Sequence, residues 1–301
     1  MSSEFLADLA TEMADILERS LHGGLSRKDL GRAEDIVKSR TLKFWGHEVE
    51  IYDLSQPFGP QSVIWPTANG SPEFTMVRNH AYARARTVRI CSSMHVGTHM
   101  DAPIHVEEGY PSIDQLPLDR MIGEGVIVSI PKREWEIITP EDLERARPEI
   151  QPGDIVVINT GWHRYYSDSA RYFLFAPGLY KEGAEWLLRR GIKGLAQDTQ
   201  ATDHPLATVL VQGNMGQGNP PIMPWLADLY KKKTGRDVRE DFPYWEPAHR
   251  ILYTHGIWGI ENAGGDIDKV TGKRALIAAF PIRWIGGDAS MVRLVAMIEK
   301  K

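Results

Sequence analysis

The sequence predicts an α/β fold, and two observations support this class. From about residue 48 onward, short apolar runs typical of strands alternate with segments of helical periodicity. Several of these runs are almost uninterrupted, as is typical of strands that are buried on both faces of a sheet. The spacing between them suits hairpins in some places and crossovers in others, so the runs leave open whether the sheet is parallel or mixed.

The chain begins with a predicted amphipathic helix that ends at Gly23-Gly24. Ser26 and Asp29 form the capping box of a second predicted helix, which extends to about Lys38. We therefore predict a helical extension over residues 1–47, which either serves as an appendage or dimer arm or packs on the surface of its own domain. The apolar residues of the first helix are Phe5, Leu6, Leu9, Met13, Ile16 and Leu17.

Residues 48–301 are predicted to form the main domain. Helices are expected at 139–147, at 180–191 and at 246–256, because each begins at a capping or proline signal or ends on glycine. Residues 203–247 combine glycine, proline and aromatic residues without periodicity, and we expect an irregular insert that forms a lid over the substrate. Strands are expected within 49–55, 85–94, 125–130, 154–160, 193–199, 257–261 and 275–282.

The composition excludes several classes of protein. A formal charge of -5, from 35 basic and 40 acidic residues, gives no attraction for nucleic acid or an anionic membrane. Cys91 is the only cysteine, which excludes an intrachain disulfide and a zinc site built on thiolates. The acidic first helix is unlike a signal peptide, and no apolar run is long enough to span a membrane. We therefore expect a cytoplasmic protein.

One segment, CSSMHVGTHMDAPIH, concentrates three histidines and an aspartate in a chain with 10 histidines. Within it, His99 and Asp101 are two residues apart and point the same way on an extended segment, while Gly97 allows the turn that brings His95 alongside. Imidazoles and a carboxylate are the usual ligands of Zn²⁺ or Mn²⁺, and three protein ligands leave a coordination position for water. We therefore predict a metal site built from His95, His99 and Asp101.

His105 follows Pro103 and suits a general base or proton shuttle, because hydrolysis needs a group that titrates near pH 7 beside the metal. The proline disfavours a helix, and Val96 stands where the helical H-E-x-x-H motif of metalloproteases has glutamate. Cys91 lies close enough in sequence to be considered as a nucleophile. We expect it instead to be a buried packing residue of a strand.

The segment HVGTHMDAPIH resembles the H-x-G-T-H-x-D-x-P-x-H signature of the cyclase-like metal-dependent hydrolases, the family of bacterial kynurenine formamidase and isatin hydrolase. The resemblance extends from about residue 50 to the end of the chain. It implies a swivelling β/β/α fold with a mixed central sheet and flanking helices, and a homodimer or homotetramer. The other segments that resemble the family, in order, are YDLSQPF, GDIVVINTGW, APGLY, HRILYTHGIWGIEN and FPIRWIGGDASMVRLVAMI.

The resemblance also implies roles for individual residues. The three ligands predicted above hold one ion, Asp101 bridges to a second ion held by His249 and Glu261, and His105 is the catalytic histidine. The isatin hydrolase branch has glutamine in place of His249 and uses a single Mn²⁺, so the histidine here favours two ions, Zn²⁺ or Mn²⁺. Without the resemblance, His249 would be a surface residue on a helix and Glu261 a charge at the end of a strand.

The predicted activity is hydrolysis, by metal-activated water, of the C–N bond of an aryl formamide or a cyclic amide. Lactone opening is the alternative reaction, and a metal- or effector-binding protein without turnover is the alternative of another class. The first fifty residues and the 203–247 insert have no counterpart in the compact formamidases, so the substrate is specified only as small and aromatic or cyclic. Aromatic residues expected at the substrate site are Trp65, Trp162, Trp225 and Trp245.

Overall fold

The computed structural model describes residues 3–21, 30, 32–37, 42–44, 46–62, 64–66, 70–167, 170–213 and 219–300. The chain divides into two compact units. The smaller unit comprises Met1–Thr41 and Glu73–Cys91, and the larger comprises Leu42–Pro72 and Ser92–Lys301. Residues 73–91 are thus part of the smaller unit, and the predicted division into an extension over 1–47 and a domain over 48–301 stays a prediction.

The bounds of the elements are as follows. The strands are β1 Leu42–Phe44, β2 His47–Asp53, β3 Glu73–Arg78, β4 Thr87–Cys91, β5 His99–Asp101, β6 Ile122–Ser129, β7 Ile137–Ile138, β8 Ile155–Asn159, β9 Gly178–Leu179, β10 Gly194–Gln197, β11 Trp258–Glu261, β12 Lys273–Ala278, β13 Ala289–Met291 and β14 Val295–Glu299. The helices are α1 Ser3–Leu21, α2 Ala33–Ile36, α3 His80–Ala83, α4 Pro140–Arg145, α5 Ala170–Leu174, α6 Lys181–Arg190, α7 Val209–Gln212, α8 Trp225–Thr234, α9 Val238–Asp241, α10 Pro247–Tyr253 and α11 Ile267–Val270.

The smaller unit contains α1, α2 and α3 and the antiparallel hairpin of β3 and β4. The predicted first helix is confirmed as α1, whereas the predicted start of the second, at Ser26, lies outside the described residues. Cys91 ends β4 and is exposed. The prediction of a buried packing residue is therefore wrong, because β4 belongs to a two-stranded hairpin and not to the central sheet.

The larger unit is built on one ten-stranded sheet in the order β1-β2-β14-β12-β6-β8-β10-β11-β5-β13. The strands β6, β8, β10 and β11 run parallel to one another, and the other neighbouring pairs are antiparallel. The predicted α/β class and the mixed central sheet are therefore confirmed. Each segment predicted as a strand contains one, and each helix predicted after residue 130 is present.

Apolar side chains fill both faces of this sheet. Along β8, Ile155 and Val157 pack into one buried cluster, while Val156 and Ile158 pack into another on the opposite face. The second cluster includes side chains of α4, α6 and α10, which cover that face of the parallel strands. This two-sided burial makes the parallel strands a rigid support for the loops at their carboxyl ends.

The described parts of the predicted insert, residues 203–213 and 219–247, contain more regular structure than the sequence predicts. They contain α7, α8 and α9, and Leu206, Leu226 and Phe242 from this region pack with Trp162 and Tyr172 in a third buried cluster. The expectation was wrong because the helices are short and separated by glycine and proline, which hides their periodicity. No helix in the described part of the chain is long and apolar enough to cross a membrane.

Candidate active site

The site is built around β5, which lies between β11 and β13 and is antiparallel to both. In the pairing with β11, His99 stands opposite Glu261 and Asp101 stands opposite Gly259. Residues directly opposite each other on neighbouring strands share a face of the sheet, and so do residues two apart on one strand. His99, Asp101 and Glu261 therefore project from the same side.

A cavity of about 290 Å³ opens on this side. The residues predicted to bind metal or to act in catalysis all line it, although two of them come from distant parts of the chain. They are His95, His99, Asp101, His105, His249 and Glu261. The sequence therefore predicted a set of residues that the fold brings together.

Asp101 lies at the centre of this set and is 1% exposed. Its Oδ1 atom lies 3.0 Å from Nδ1 of His95 and 3.4 Å from Nε2 of His99. Its Oδ2 atom faces His249, whose Nε2 is 3.8 Å away. Glu261 connects the two sides, with Oε2 at 3.5 Å from Nε2 of His99 and Oε1 at 3.3 Å from Nε2 of His249. The two oxygens of Asp101 thus face two groups of ligand atoms.

In three of the imidazoles, one ring nitrogen contacts an oxygen atom outside the cluster. The second ring nitrogen of each then faces the carboxylates of Asp101 and Glu261. Nδ1 of His99 donates to the carbonyl oxygen of Gly97 at 2.9 Å, and Nδ1 of His249 donates to Asp203 at 2.6 Å. Nε2 of His95 contacts a carboxylate oxygen of Asp288 at 2.9 Å. Because a carbonyl or carboxylate oxygen only accepts, each contact keeps a proton on the outer nitrogen, and an ion bound at the inner nitrogen would take the place of any proton there.

The inner carboxylates are held in their charged forms. Burial alone would raise the pKa of Asp101, but the imidazoles of His99 and His95 outweigh burial and bring it well below its usual range. Burial likewise opposes ionisation of Glu261, and the hydrogen bond with His249 lowers its pKa. Glu261 also accepts a hydrogen bond of 2.7 Å from the backbone N–H of Thr202. Both carboxylates are therefore available as anionic ligands.

His105 differs from the other histidines. Its side chain lines the cavity and is exposed by surface area, and desolvation by the surrounding cavity wall lowers its pKa to about 4, so the imidazole is neutral at pH 7. Its ring centroid lies 4.1 Å from that of His95 and 6.1 Å from that of His249. By contrast, burial opposes protonation of His95, but Asp101 and Asp288 outweigh it and raise its pKa to about 10. A neutral imidazole beside the ligand cluster can accept a proton.

A close approach of β11 to α10 completes the cluster. A Cβ atom at Gly259 would lie 2.1 Å from the hydroxyl oxygen of Tyr253, so only glycine leaves room for that ring. The Tyr253 hydroxyl group lies 2.7 Å from Oγ1 of Thr202 and donates to Oδ2 of Asp101 at 3.5 Å. The second oxygen of Asp101 is therefore oriented from the direction of α10.

The donor set fits a divalent metal. Oδ1 of Asp101 is buried and accepts no hydrogen bond of acceptable geometry from the described residues, although His95 is close to it. Ligand atoms of His99, Asp101 and Glu261 lie within 4.8 Å of one another, and so do those of His95, Asp101 and His105. A buried carboxylate oxygen without a hydrogen bond, surrounded by imidazole nitrogens, is the environment that a Zn²⁺ or Mn²⁺ ion would complete.

The tryptophans expected at the substrate site separate into two pairs. Trp65 and Trp245 line the cavity. Trp162 does not, because it is buried in the third cluster and its indole N–H donates to the carbonyl oxygen of Tyr172 at 3.1 Å. Trp225 is the first residue of α8, and its side chain is 46% exposed. It is not among the residues that line the cavity. The cavity wall therefore contains two of the four tryptophans, the other two lie elsewhere in the fold, and a contact of any of them with substrate stays a prediction.

Four polar residues of the site were not identified from the sequence. Asp203 and Asp288 orient His249 and His95, and Glu246 and Arg250 line the cavity. Arg250 and Glu246 lie next to the predicted ligand His249, which is the one sequence signal that could have indicated them. Asp203 and Asp288 lie far in sequence from the residues they orient, so only the fold reveals them.

This cluster of imidazoles and carboxylates in a cavity of an α/β fold is a candidate metal site of an enzyme. The family model described as "Putative cyclase" matches residues 52–204. The chain is 30% identical over 257 residues to the kynurenine formamidase of Erythrobacter litoralis, covering 84% of this chain and 96% of that protein. This chain therefore belongs to the cyclase family.

Solved structures with the same fold include two hydrolases. An isatin hydrolase bound to the product analogue thioisatinate has a TM-score of 0.67 and 22% identity, covering 84% of this chain and 93% of that one. A potential metal-dependent hydrolase with cyclase activity has a TM-score of 0.59 and 19% identity, covering 84% of this chain and 100% of that one. The chain therefore shares its fold with both of these structures over most of its length.

Proposed function

We propose that this enzyme hydrolyses the C–N bond of a small aryl formamide or cyclic amide. The observation that carries the proposal is the convergence of His95, His99, His249 and Glu261 on Asp101, beside the neutral His105. Relatives named kynurenine formamidase and isatin hydrolase support amide chemistry. The tryptophans in the cavity wall provide flat apolar surfaces that suit an aromatic or cyclic substrate.

Two divalent ions, Zn²⁺ or Mn²⁺, fit the two sides of Asp101. His95, His99 and one oxygen of Asp101 would hold the first ion, and His249, Glu261 and the other oxygen of Asp101 would hold the second. When bound, such ions polarise a carbonyl group and activate water for attack. Asp203 and Asp288 keep two of the imidazoles oriented toward these positions.

His105 supplies the proton transfers of the reaction. As water adds to the carbonyl carbon, neutral His105 accepts one of its protons. The C–N bond then breaks, and His105 returns this proton to the leaving nitrogen, so that a carboxylic acid and an amine are formed. The tautomers fixed by Gly97 and Asp203 prevent His99 and His249 from competing for the proton through their outer nitrogens.

The proposal is tested by metal analysis and a substrate panel. The purified protein is analysed for bound metal and assayed on N-formylaniline, isatin, a cyclic imide and an aromatic lactone, with and without chelator. We expect hydrolysis of at least one amide that chelator abolishes and that Zn²⁺ or Mn²⁺ restores. Hydrolysis of the lactone alone would reassign the reaction to C–O bonds, and stoichiometric metal without turnover would indicate a metal-binding protein.

The number of ions is tested with His249→Ala. Because His249 faces only the Oδ2 side of Asp101, its loss is expected to lower the metal content by one equivalent and to leave the first ion in place. The matched control is His255→Ala, since His255 is exposed and lies two residues after the end of α10, the helix that carries His249. Unchanged stoichiometry in His249→Ala would contradict the two-ion arrangement.

We also propose that the chain acts as a homodimer or homotetramer, with α1 as an arm between subunits. The support is the row of apolar side chains that α1 leaves exposed, namely Met13, Ile16 and Leu17. Light scattering on the intact chain and on the triple variant with serine at these positions tests the arm. An unchanged molar mass in the variant would contradict it.

A further inference from the structure

We propose that Glu246 recognises the N–H group of the substrate: its carboxylate accepts a hydrogen bond from the amide nitrogen and so selects N–H amides over N-alkylated amides and lactones. This inference rests on the proposed amide hydrolysis and adds a specificity residue to it. Glu246 lines the same cavity as the ligand cluster and lies three residues before His249.

The backbone of Glu246 is held in an unfavourable conformation. Its φ of 43° and ψ of 50° are in the left-handed region, which is costly for residues other than glycine. The following residue is Pro247, which normally favours an extended conformation in the residue before it. The backbone N–H of Glu246 donates to Ala207 at 2.8 Å, and its carbonyl accepts from Arg250 at 3.3 Å. A non-glycine residue retained here at this cost indicates that its side chain has a use.

Among the described residues, none donates a hydrogen bond to the carboxylate of Glu246 or forms an ion pair with it within 4.0 Å, although the charges of His249 and Arg250 act on it from farther away. Arg250, four residues later, is the expected partner for a glutamate on the same helix face. Its Nη1 instead donates to the carbonyl oxygen of Val106 at 3.0 Å and to Glu107 at 3.2 Å, and its guanidinium lies over the ring of Trp245. The natural partner is therefore occupied elsewhere, and the acceptor stays available in the cavity.

A second polar group of this wall also lacks a partner. Nε1 of Trp245, the residue before Glu246, is buried and donates to none of the described residues. Burial raises the pKa of the Glu246 carboxyl to about 7, although the charges of His249 and Arg250 lower it. Two neighbouring polar groups without protein partners, both on residues that line the cavity, indicate that a ligand completes the wall.

The chemistry of the carboxylate defines what it recognises. An ionised carboxylate can only accept hydrogen bonds, so it is complementary to a donor. Formanilides, isatins and imides present an N–H group at the bond that is cleaved, whereas lactones and N-alkylated amides do not. A substrate without this donor leaves a desolvated carboxylate unpaired, which is the kind of mismatch that gives strong discrimination.

The test compares matched ligands that differ only in this donor, at pH 8.5, where the carboxyl is ionised. Binding of oxindole and N-methyloxindole, two cyclic amides of similar shape, is measured by calorimetry in the metal-loaded wild type and in Glu246→Ala, Glu246→Gln and Glu246→Gly. Hydrolysis of isatin and of N-methylisatin is measured in parallel. Bound metal is determined in every variant, and Glu182→Gln, on the exposed side of α6, is the matched control.

We expect the wild type to prefer the N–H ligand by about 10- to 100-fold, as for a hydrogen bond to a charged group, and Glu246→Ala to lose this preference at unchanged metal content. Glu246→Gln retains an acceptor and is expected to keep part of it. Glu246→Gly removes the side chain and also relieves the backbone strain, so this variant is expected to be more stable than the wild type. If it still loses the preference for the N–H ligand, the loss cannot be a result of poorer folding. Equal binding of the two ligands by the wild type, or an unchanged preference in Glu246→Ala, would overturn the inference.

The two proposals fail in different ways. If the wild type hydrolyses no amide but still prefers oxindole through Glu246, the proposed reaction is wrong and the recognition of N–H stands. If the wild type hydrolyses isatin and N-methylisatin equally well, the proposed reaction stands and the role of Glu246 is wrong.

Discussion

At the scale of single residues, the site is defined by which nitrogen of each imidazole is left unoccupied. A backbone carbonyl and two carboxylates hold the outer nitrogens of His99, His249 and His95, and the inner nitrogens meet around Asp101. Since the rings are fixed before an ion arrives, little side-chain entropy is lost on binding. His105 has no such anchor among the described hydrogen bonds and remains the ring that can exchange a proton.

The role of His105 predicts a large loss of rate with retained metal. His105→Ala removes the proton acceptor, and we expect kcat to fall by about 10²- to 10⁴-fold, the usual contribution of general acid–base catalysis. Metal content measured by mass spectrometry is expected to stay at the wild-type value, because the other five residues of the cluster remain. A parallel loss of metal and activity would instead make His105 a ligand.

The contact between Asp288 and His95 predicts an effect on metal affinity. Asp288→Asn keeps the shape of the side chain but removes the negative acceptor at Nε2 of His95, and we expect the metal affinity to fall by about 10- to 100-fold. Competition with a fluorescent chelator measures it. Asp119→Asn, an exposed aspartate away from the cavity, serves as the control. Equal metal affinities in Asp288→Asn and Asp119→Asn would show that Asp288 does not contribute to metal binding.

The sequence revealed those site residues that lie close together along the chain. His95, His99, Asp101 and His105 could be identified because their spacing has a chemical meaning on an extended segment with a glycine turn. His249 and Glu261 were identified only from the resemblance to a family. Asp203 and Asp288 were missed, because a single acidic residue far in sequence from its partner has no pattern until the chain is folded, and Glu246 was missed although it lies three residues before His249.

At the scale of elements, the site depends on the close contact between β11 and α10. Gly259→Ala places a methyl group within 2.1 Å of the hydroxyl oxygen of Tyr253, and both elements are buried, so the overpacking cannot be relieved at the surface. We expect the free energy of unfolding to fall by about 1–3 kcal/mol, together with weaker metal binding as Tyr253 is displaced from Asp101.

Urea unfolding of the metal-free and metal-loaded protein measures both effects of Gly259→Ala. The matched control is Gly59→Ala, because a Cβ atom at Gly59 meets nothing within 4 Å. A Gly259→Ala variant as stable as Gly59→Ala would show that α10 can shift away, and the glycine would then have no packing role.

The strands and main helices could be predicted because β8 is an uninterrupted apolar run and α6 has an apolar face at helical spacing. The order of the strands in the sheet could not, since the insertion of β5 between two later strands leaves no trace in local sequence. The same holds for α7, α8 and α9, which were expected as irregular chain. Their short apolar stripes are recognisable only once Leu226 and Phe242 are seen in a common cluster.

At the scale of the whole molecule, His163 links three parts of the larger unit and predicts a pH dependence of stability. Its Nδ1 lies 2.9 Å from Asp198, after β10, and its Nε2 lies 3.3 Å from Asp268 in α11. The hydrogen bond with Asp198 raises the pKa of His163 above its ordinary value of 6.5. The stabilisation is therefore complete below about pH 6.5 and is lost as the pH rises through the higher folded-state pKa.

Urea unfolding of the wild type and His163→Gln at pH 6 and pH 9 tests this dependence. The wild type is expected to be the more stable of the two at pH 6, and the difference is expected to shrink at pH 9. His80→Gln, at an exposed position in the smaller unit, is expected to show no such change. A difference between wild type and His163→Gln that is the same at both pH values would exclude the contribution of the charged imidazole.

The position of β5 in the sheet also determines when the protein can acquire its metal during synthesis. Asp101 leaves the ribosome 160 residues before Glu261, and both strands that flank β5 belong to that later part of the chain. Until they emerge, a nascent chain offers only His95, His99 and Asp101 on an unpaired edge that water can reach. If the proposed ions bind, we therefore expect stable metal binding only once both strands that flank β5 have formed, because Glu261 and His249 are then in place.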